Sequence, residues 1–243
     1  MKRRARAARL FLLVPLLSAG GYFAWRTWRT YREPVRAAVR DYLSFRRVDH
    51  YEDVLRVAAL ESEVDPCLLA AVMVAESSGR LGARSSAGAL GLFQLTMTSA
   101  RWRAQLLGLP EPSEEALLSD PLLNARLGAD HLRWLLDTYE GDVERALCAY
   151  NCGPRRLKEI SEAVGGWERW RDERARSGTS QILAYAHRVL HYRDELFGRG
   201  FFPEFYRPEP DELPPGVTGT QAPQSAPAPE PVAETLPSGA ASQ

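Results

Sequence analysis

Lysine is almost missing from this chain of 243 residues, since Lys2 and Lys158 are its only two copies. Arginine supplies the other basic side chains, which we interpret as a coding bias. The 31 basic and 31 acidic residues balance, so the formal net charge is zero. A dedicated nucleic-acid-binding protein would carry a basic excess, and the balance therefore argues against that class.

Cysteine is also scarce. Its three copies are Cys67, Cys148 and Cys152, an odd number, so at least one cysteine is unpaired within the monomer. Cys148 and Cys152 would share one helix face, where a bridge between them would be strained. In an exported domain either could pair with Cys67, and buried free thiols account for the pattern equally well.

Alternating apolar and polar runs with hairpin turns are absent from the sequence, which argues against a β-sheet fold. Helix-start signals occur instead, as an Asp-Pro pair at residues 65–66 and another at residues 120–121. A last amphipathic helix is predicted over about residues 180–197. The pattern therefore predicts an all-α, or nearly all-α, fold.

Acidic residues are nearly absent from the segment 66–110, where Glu76 is the only one. Glu76 ends an apolar helix and continues its buried face, which also carries Leu69, Val72 and Met73. Burial disfavours a charged carboxylate and raises its pKa, which keeps the group protonated near neutral pH. Glu76 is therefore a candidate general acid.

Metal ligation has little support. His187 and His191 have the i, i+4 spacing of two ligands on one helix, but no glutamate follows the first histidine and no further ligand block is present. We predict neither a metal site nor a cofactor.

The N-terminus combines a basic start with an uncharged segment, residues 10–25. This pattern indicates either a signal peptide or a membrane anchor. Sixteen residues fall slightly short of the roughly 20 that span a bilayer as a helix. Trp25, Trp28 and Tyr31 could extend the span as interfacial aromatics, so we favour the anchor.

Four segments are predicted along the chain. Residues 1–30 hold the basic start and the anchor or signal segment, and residues 31–50 form an arginine-rich juxtamembrane helix. Residues 51–205 form the folded catalytic domain. Residues 206–243 are rich in Pro, Ala, Glu and Ser and lack the apolar side chains needed for a core, so we predict a disordered tail.

Three blocks of residues carry the functional signal. The first is Glu76-Ser77, the second is Ser-Ser-Ala-Gly-Ala-Leu-Gly-Leu-Phe-Gln at 85–94, and the third is Ala-Tyr-Asn-Cys-Gly-Pro at 149–154. A weaker fourth block is the Asp-Pro pair at 120–121 followed by Asn124, Gly128 and Leu132. In order and spacing these blocks resemble the soluble, goose-lysozyme-like class of lytic transglycosylases, which cleave bacterial peptidoglycan. The sequence departs from the family pattern at Phe93, Thr96 and Cys152.

The resemblance implies a lysozyme-like helical domain with Glu76 as acid and then base. Ser85, Gln94 and Tyr150 would position the N-acetyl and hydroxyl groups of the sugar, and Asn151 would bind substrate or act as a structural cap. The expected partners are the glycan strands of peptidoglycan, and the inner membrane through the N-terminal helix. The expected location is the bacterial inner membrane, with the catalytic domain in the periplasm.

Two alternatives remain open at the level of the sequence. One is a muramidase that cleaves the same bond with water. The other is a degenerate peptidoglycan-binding or scaffold module of an envelope machine, which the altered residues around Phe93 allow and the retained Glu76 disfavours.

Overall fold

A computed structural model describes residues 25–36, 38–39 and 41–206 of the chain. The uncharged N-terminal segment, apart from Trp25, and the predicted tail after Tyr206 lie outside the described residues. Within the described ranges the regular structure is helical, apart from two isolated β-bridges in one loop. The all-α prediction is confirmed. No helix in this part of the chain is both long and apolar enough to cross a membrane.

Ten α-helices follow one another in the described part. Helix α1 covers the described residues between 25 and 50 and includes the predicted juxtamembrane helix. The next nine helices, followed by a 3-10 turn, are α2 (Glu52–Ser62), α3 (Pro66–Ser77), α4 (Met97–Leu106), α5 (Glu114–Ser119), α6 (Pro121–Thr138), α7 (Val143–Cys152), α8 (Pro154–Glu162), α9 (Trp167–Ser177), α10 (Gln181–Gly198) and the turn Pro203–Phe205.

The helix starts predicted at the two Asp-Pro pairs are confirmed. The carboxylate of Asp65 accepts hydrogen bonds from the backbone N–H groups of Cys67 and Leu68, and that of Asp120 accepts one from Leu123. Each carboxylate satisfies donors that lack a partner in the first helical turn. These caps fix where α3 and α6 begin.

Helix α3 forms the centre of the domain. Every residue from Pro66 to Val74 is buried, and the helix packs chiefly on α10 and also on α2. A helix that is apolar on all sides must be enclosed by other elements, as this one is. Its last turn leaves the core, and Glu76 therefore lies at the boundary between the apolar interior and solvent.

The loop between α3 and α4 is held by the fully buried side chain of Asn124 on α6. The Asn124 oxygen accepts a hydrogen bond from the backbone N–H of Phe93 at 2.9 Å. Its amide nitrogen donates to the carbonyls of Leu90 and Leu117 at 3.2 and 3.1 Å. A Cβ atom on Gly91 would lie 2.1 Å from this nitrogen. The amide thus fits only because residue 91 is glycine.

The packing of the Phe93 ring depends on a second glycine. A Cβ atom on Gly128 in α6 would lie 2.4 Å from the Phe93 ring, which is itself fully buried. The ring therefore fills the space left by the missing side chain. This packing accommodates Phe93, where the family pattern has methionine, without opening the loop.

We predict that Asn124→Ala will lower the free energy of unfolding by about 2–4 kcal/mol, because it removes three buried hydrogen bonds. The N–H of Phe93 and the carbonyl of Leu117 lose their partner, whereas the carbonyl of Leu90 keeps the N–H of Leu95. Urea denaturation followed by circular dichroism measures the change. Asn151→Ala is the matched control, because Asn151 is exposed and its truncation should stay within about 0.5 kcal/mol. Equal effects of the two substitutions would contradict the assigned role of Asn124.

Candidate active site

Glu76 is the penultimate residue of α3 and is half-buried. The helix ends directly after it, where Ser78 takes the left-handed conformation with φ of 55°. The guanidinium of Arg47 on α1 donates to the Ser78 carbonyl at 2.7 Å, and that of Arg80 donates to the Ser77 carbonyl at 3.0 Å. These cations complement the negative end of the helix dipole and hold the turn that carries the acid.

The hydroxyl of Tyr185 on α10 donates a hydrogen bond to Oε1 of Glu76 at 2.6 Å. Tyr185 is buried, and burial together with the nearby Glu76 charge raises its pKa, so the hydroxyl stays a donor. The sequence pattern placed this residue only on the apolar face of the last helix. Its role could not be recognised without knowing that α10 packs against α3.

Burial raises the pKa of Glu76 from 4.5 to about 7. The hydrogen bond from Tyr185 and the positive charge of Arg188 oppose this shift, because both stabilise the carboxylate. No carboxyl group of the described residues is among the groups that shift it. Glu76 can therefore either donate or accept a proton near neutral pH.

Tyr150 lies near the same carboxyl group. Its hydroxyl donates to the backbone carbonyl of Phe93 at 2.9 Å, which ties α7 to the loop after α3. Burial and the charge of Glu76 raise the pKa of Tyr150, so it is a neutral phenol at all physiological pH values. The structure thus brings together Glu76, Tyr150 and Tyr185.

Ser85 and Gln94 lie in the loop after α3. The Ser85 hydroxyl accepts from the backbone N–H of Ala89 at 3.0 Å. Gln94 has a left-handed backbone, with φ of 47°, and its amide nitrogen donates to the carbonyls of Ala83 and Gly91. Both side chains therefore stabilise the loop, and in the described part of the chain neither is hydrogen-bonded to Glu76.

Asn151 differs from the other predicted site residues. It follows Tyr150 in the last turn of α7, but its side chain is exposed. No hydrogen bond joins it to the other predicted site residues within the described ranges. Its role in substrate binding remains a prediction.

The described residues contain no group of three or more His, Cys, Asp and Glu side chains that could hold a metal ion. His187 contacts Glu144 instead, with 2.7 Å between its Nε2 and the Oε1 of the glutamate. The three cysteines are free, and Cys67 and Cys148 are buried.

The comparisons with known proteins agree on one domain type. The family model of the Transglycosylase SLT domain matches residues 53–172. A membrane-bound lytic murein transglycosylase F of Cellvibrio japonicus is 31% identical over 155 residues, covering 60% of this chain and 29% of the relative.

Two solved structures are similar in fold. An inactive Glu-to-Gln mutant of the lytic transglycosylase Slt of Pseudomonas aeruginosa is 25% identical, with a TM-score of 0.54 over 60% of this chain and 24% of that one. The 70 kDa soluble lytic transglycosylase of Escherichia coli is 23% identical, with a TM-score of 0.54 over 63% and 25% of the two chains. The curated relatives are much longer, since the chain spans 21% to 34% of their lengths.

We predict that the effect of Glu76→Gln on the free energy of unfolding will be about 1–3 kcal/mol more stabilising at pH 8 than at pH 4. A raised pKa means that the folded state binds the proton more tightly than the unfolded state. The contribution of Glu76 is therefore fully present below pH 4.5 and is lost as the pH rises through about 7. Glutamine does not ionise, so the variant keeps its stability as the pH rises through this range.

Urea denaturation of both proteins at several pH values measures this difference. Glu111→Gln is the control, since Glu111 is an exposed acid, and its effect should vary little over the same range. A Glu76→Gln effect of equal size at pH 4 and pH 8 would contradict the raised pKa.

We predict that Tyr185→Phe will raise the pKa of Glu76 above about 7, because the substitution removes the main group that lowers it. Carbon-13 NMR titration of the glutamate side chains measures the pKa directly. Tyr206→Phe is the matched control, because Tyr206 donates to Asp65 at the opposite end of α3. An unchanged Glu76 titration in Tyr185→Phe would show that the hydrogen bond does not form in solution.

Proposed function

Because residues 53–172 form a lytic transglycosylase-like SLT domain, we propose that this protein is a peptidoglycan lytic transglycosylase. It would cleave the β-1,4 bond between N-acetylmuramic acid and N-acetylglucosamine and leave a 1,6-anhydro end. The names of the relatives favour this class of enzyme. The observation that carries the proposal is Glu76, a half-buried carboxyl group with a pKa of about 7 at the end of α3.

The first step uses Glu76 as an acid. The protonated carboxyl group donates its proton to the glycosidic oxygen while the bond from that oxygen to the anomeric carbon breaks. A pKa of about 7 leaves a large share of Glu76 protonated at neutral pH, whereas an ordinary glutamate would be almost entirely ionised.

The second step uses the resulting carboxylate as a base. It takes the proton of the muramyl 6-hydroxyl, whose oxygen bonds to the anomeric carbon of the same sugar. The proton returns to Glu76 and no water is consumed. Most glycosidases use two carboxyl groups, whereas this route needs one. Glu76, which no carboxyl group of the described residues perturbs, suits this route together with its Tyr185 donor, because the hydrogen bond stabilises the anionic form between the steps.

The remaining site residues would bind the sugar. Tyr150 lies near Glu76 and is held at Phe93, while Ser85 and Gln94 belong to the loop that Asn124 supports. We propose that these three position the N-acetyl and hydroxyl groups. Asn151, which is exposed, would also contact the substrate.

We further propose that the enzyme is anchored in the bacterial inner membrane by its N-terminal segment, with the catalytic domain in the periplasm. The basic start and the uncharged residues 10–25 favour this location. The name of the Cellvibrio relative is consistent with it.

We predict that the purified full chain will release anhydromuropeptides from peptidoglycan sacculi and that Glu76→Gln will reduce the rate at least about 10³-fold, because the substitution removes the proton donor. Mass spectrometry of the soluble products measures both. Glu111→Gln, which alters an exposed acid, is the control and should retain activity.

The products also separate the alternatives. Reducing ends in place of anhydro ends would identify a hydrolytic muramidase. Binding of sacculi without product from the native chain would favour a binding or scaffold module. Undiminished activity of Glu76→Gln would overturn the assignment of the acid.

A further inference from the structure

The outer face of α1 is unusually apolar for an exposed surface. Seven of the twelve exposed large apolar side chains of the described residues lie on this helix. At about 100° per residue, five of them fall within an arc of about 80°. This apolar stripe, in which each side chain is 52% to 64% exposed, consists of Trp28, Tyr31, Val35, Val39 and Tyr42. Such a concentration marks a contact surface rather than scattered exposure.

The domain itself covers a different side of the helix. The buried residues of α1 are Ser44, Phe45 and Val48, and their mean direction lies about 130° around the helix axis from the centre of the apolar stripe. The stripe therefore points away from the side by which α1 attaches to the domain. In the described part of the chain the stripe is open to solvent.

Arginines line one edge of the apolar stripe. Arg29, Arg32 and Arg36 lie within an arc of about 60° beside it. On the same side an open groove of about 470 Å³ is lined by apolar side chains of α1 together with Arg36, Arg47 and Arg80. Arg47 and Arg80 donate to backbone carbonyls, and no ion pair joins either of them to a carboxylate in the described ranges. An anionic group in the groove would find cations beside an apolar wall.

We propose that the apolar stripe and its arginine edge rest on the surface of an anionic lipid bilayer, with α1 lying along the membrane plane. Interfacial helices combine these two features, since apolar and aromatic side chains enter the acyl boundary while arginines extend to the phosphates. Anionic headgroups attract each nearby arginine by about 1 kcal/mol. This inference rests on the proposed anchoring by residues 10–25, which would place the start of α1 near a membrane.

A second copy of the chain fits this surface less well. Two stripes packed antiparallel would bring their arginine edges to the same side, where like charges are unfavourable. Two stripes packed parallel would leave both arginine edges in solvent without an anionic partner. Glu33, the acidic residue among residues 25–36, contacts Arg32 and Arg36 of its own helix at 3.3 Å. One carboxylate is thus shared by two arginines, whereas lipid phosphates would give each arginine an anionic partner of its own.

The orientation of α1 can be tested by photo-crosslinking of the full chain in vesicles, with p-benzoyl-phenylalanine replacing Tyr42. Tyr42 lies 17 residues after Trp25, so a helix standing upright would carry it about 25 Å from the bilayer. We expect lipid adducts, identified by their mass, in vesicles that contain phosphatidylglycerol. Glu33, exposed on the opposite side of α1, is the matched position and should give several-fold fewer adducts.

The charges are tested in the same assay. Arg36→Gln combined with Arg80→Gln should lower the Tyr42 adducts several-fold, whereas Arg155→Gln, on the exposed surface of α8, should not. Three results would overturn the proposal. The first is adducts between two protein chains. The second is lipid adducts when the probe replaces Trp28 but none when it replaces Tyr42. The third is an equal yield of Tyr42 adducts in vesicles with phosphatidylglycerol and in purely zwitterionic vesicles. None of these outcomes depends on bond cleavage, so the proposal stands or falls separately from the proposed activity.

Discussion

The packing of α3 against α10 is the constraint on which the candidate site depends. It buries the carboxyl group of Glu76 enough to raise its pKa to about 7, and it supplies the Tyr185 hydroxyl at 2.6 Å from Oε1. The two effects oppose each other, because burial favours the protonated form and the hydrogen bond favours the anion. Their balance leaves the proton free to move in either direction near neutral pH, as an acid that becomes a base requires.

The loop after α3 has to remain fixed while it faces solvent, and a second set of contacts achieves this. The backbone of this loop is irregular, and the Asn124 side chain supplies hydrogen bonds that regular secondary structure would otherwise provide. Gly91 and Gly128 leave room for the Asn124 amide and the Phe93 ring. Tyr150 then joins the loop to α7. The path of the loop is therefore fixed by contacts to residues that lie far from it in sequence.

Much of the fold followed from local patterns, and the site followed in part. The Asp-Pro starts predicted α3 and α6 because a capping carboxylate acts within its own first turn. The position of Glu76 on a buried face was evident from helical periodicity. Tyr185 was not recognisable as a partner, because a tyrosine on an apolar stripe has the same pattern whether or not it meets a carboxylate. The bonds of Ser85 and Gln94 within the loop were equally hidden, since they depend on its folded path.

The end of α3, which carries Glu76, is in direct contact with α1, which carries the apolar stripe. Arg47 extends from α1 to the Ser78 carbonyl, two residues after Glu76, and it also lines the groove beside the apolar stripe. A Cβ atom on Gly79 would lie 2.8 Å from the Arg47 side chain, so helix and turn meet without a gap. An α1 lying on a bilayer would thus hold the turn that carries the acid close to the membrane surface. The glycan strands within reach would be those nearest the membrane.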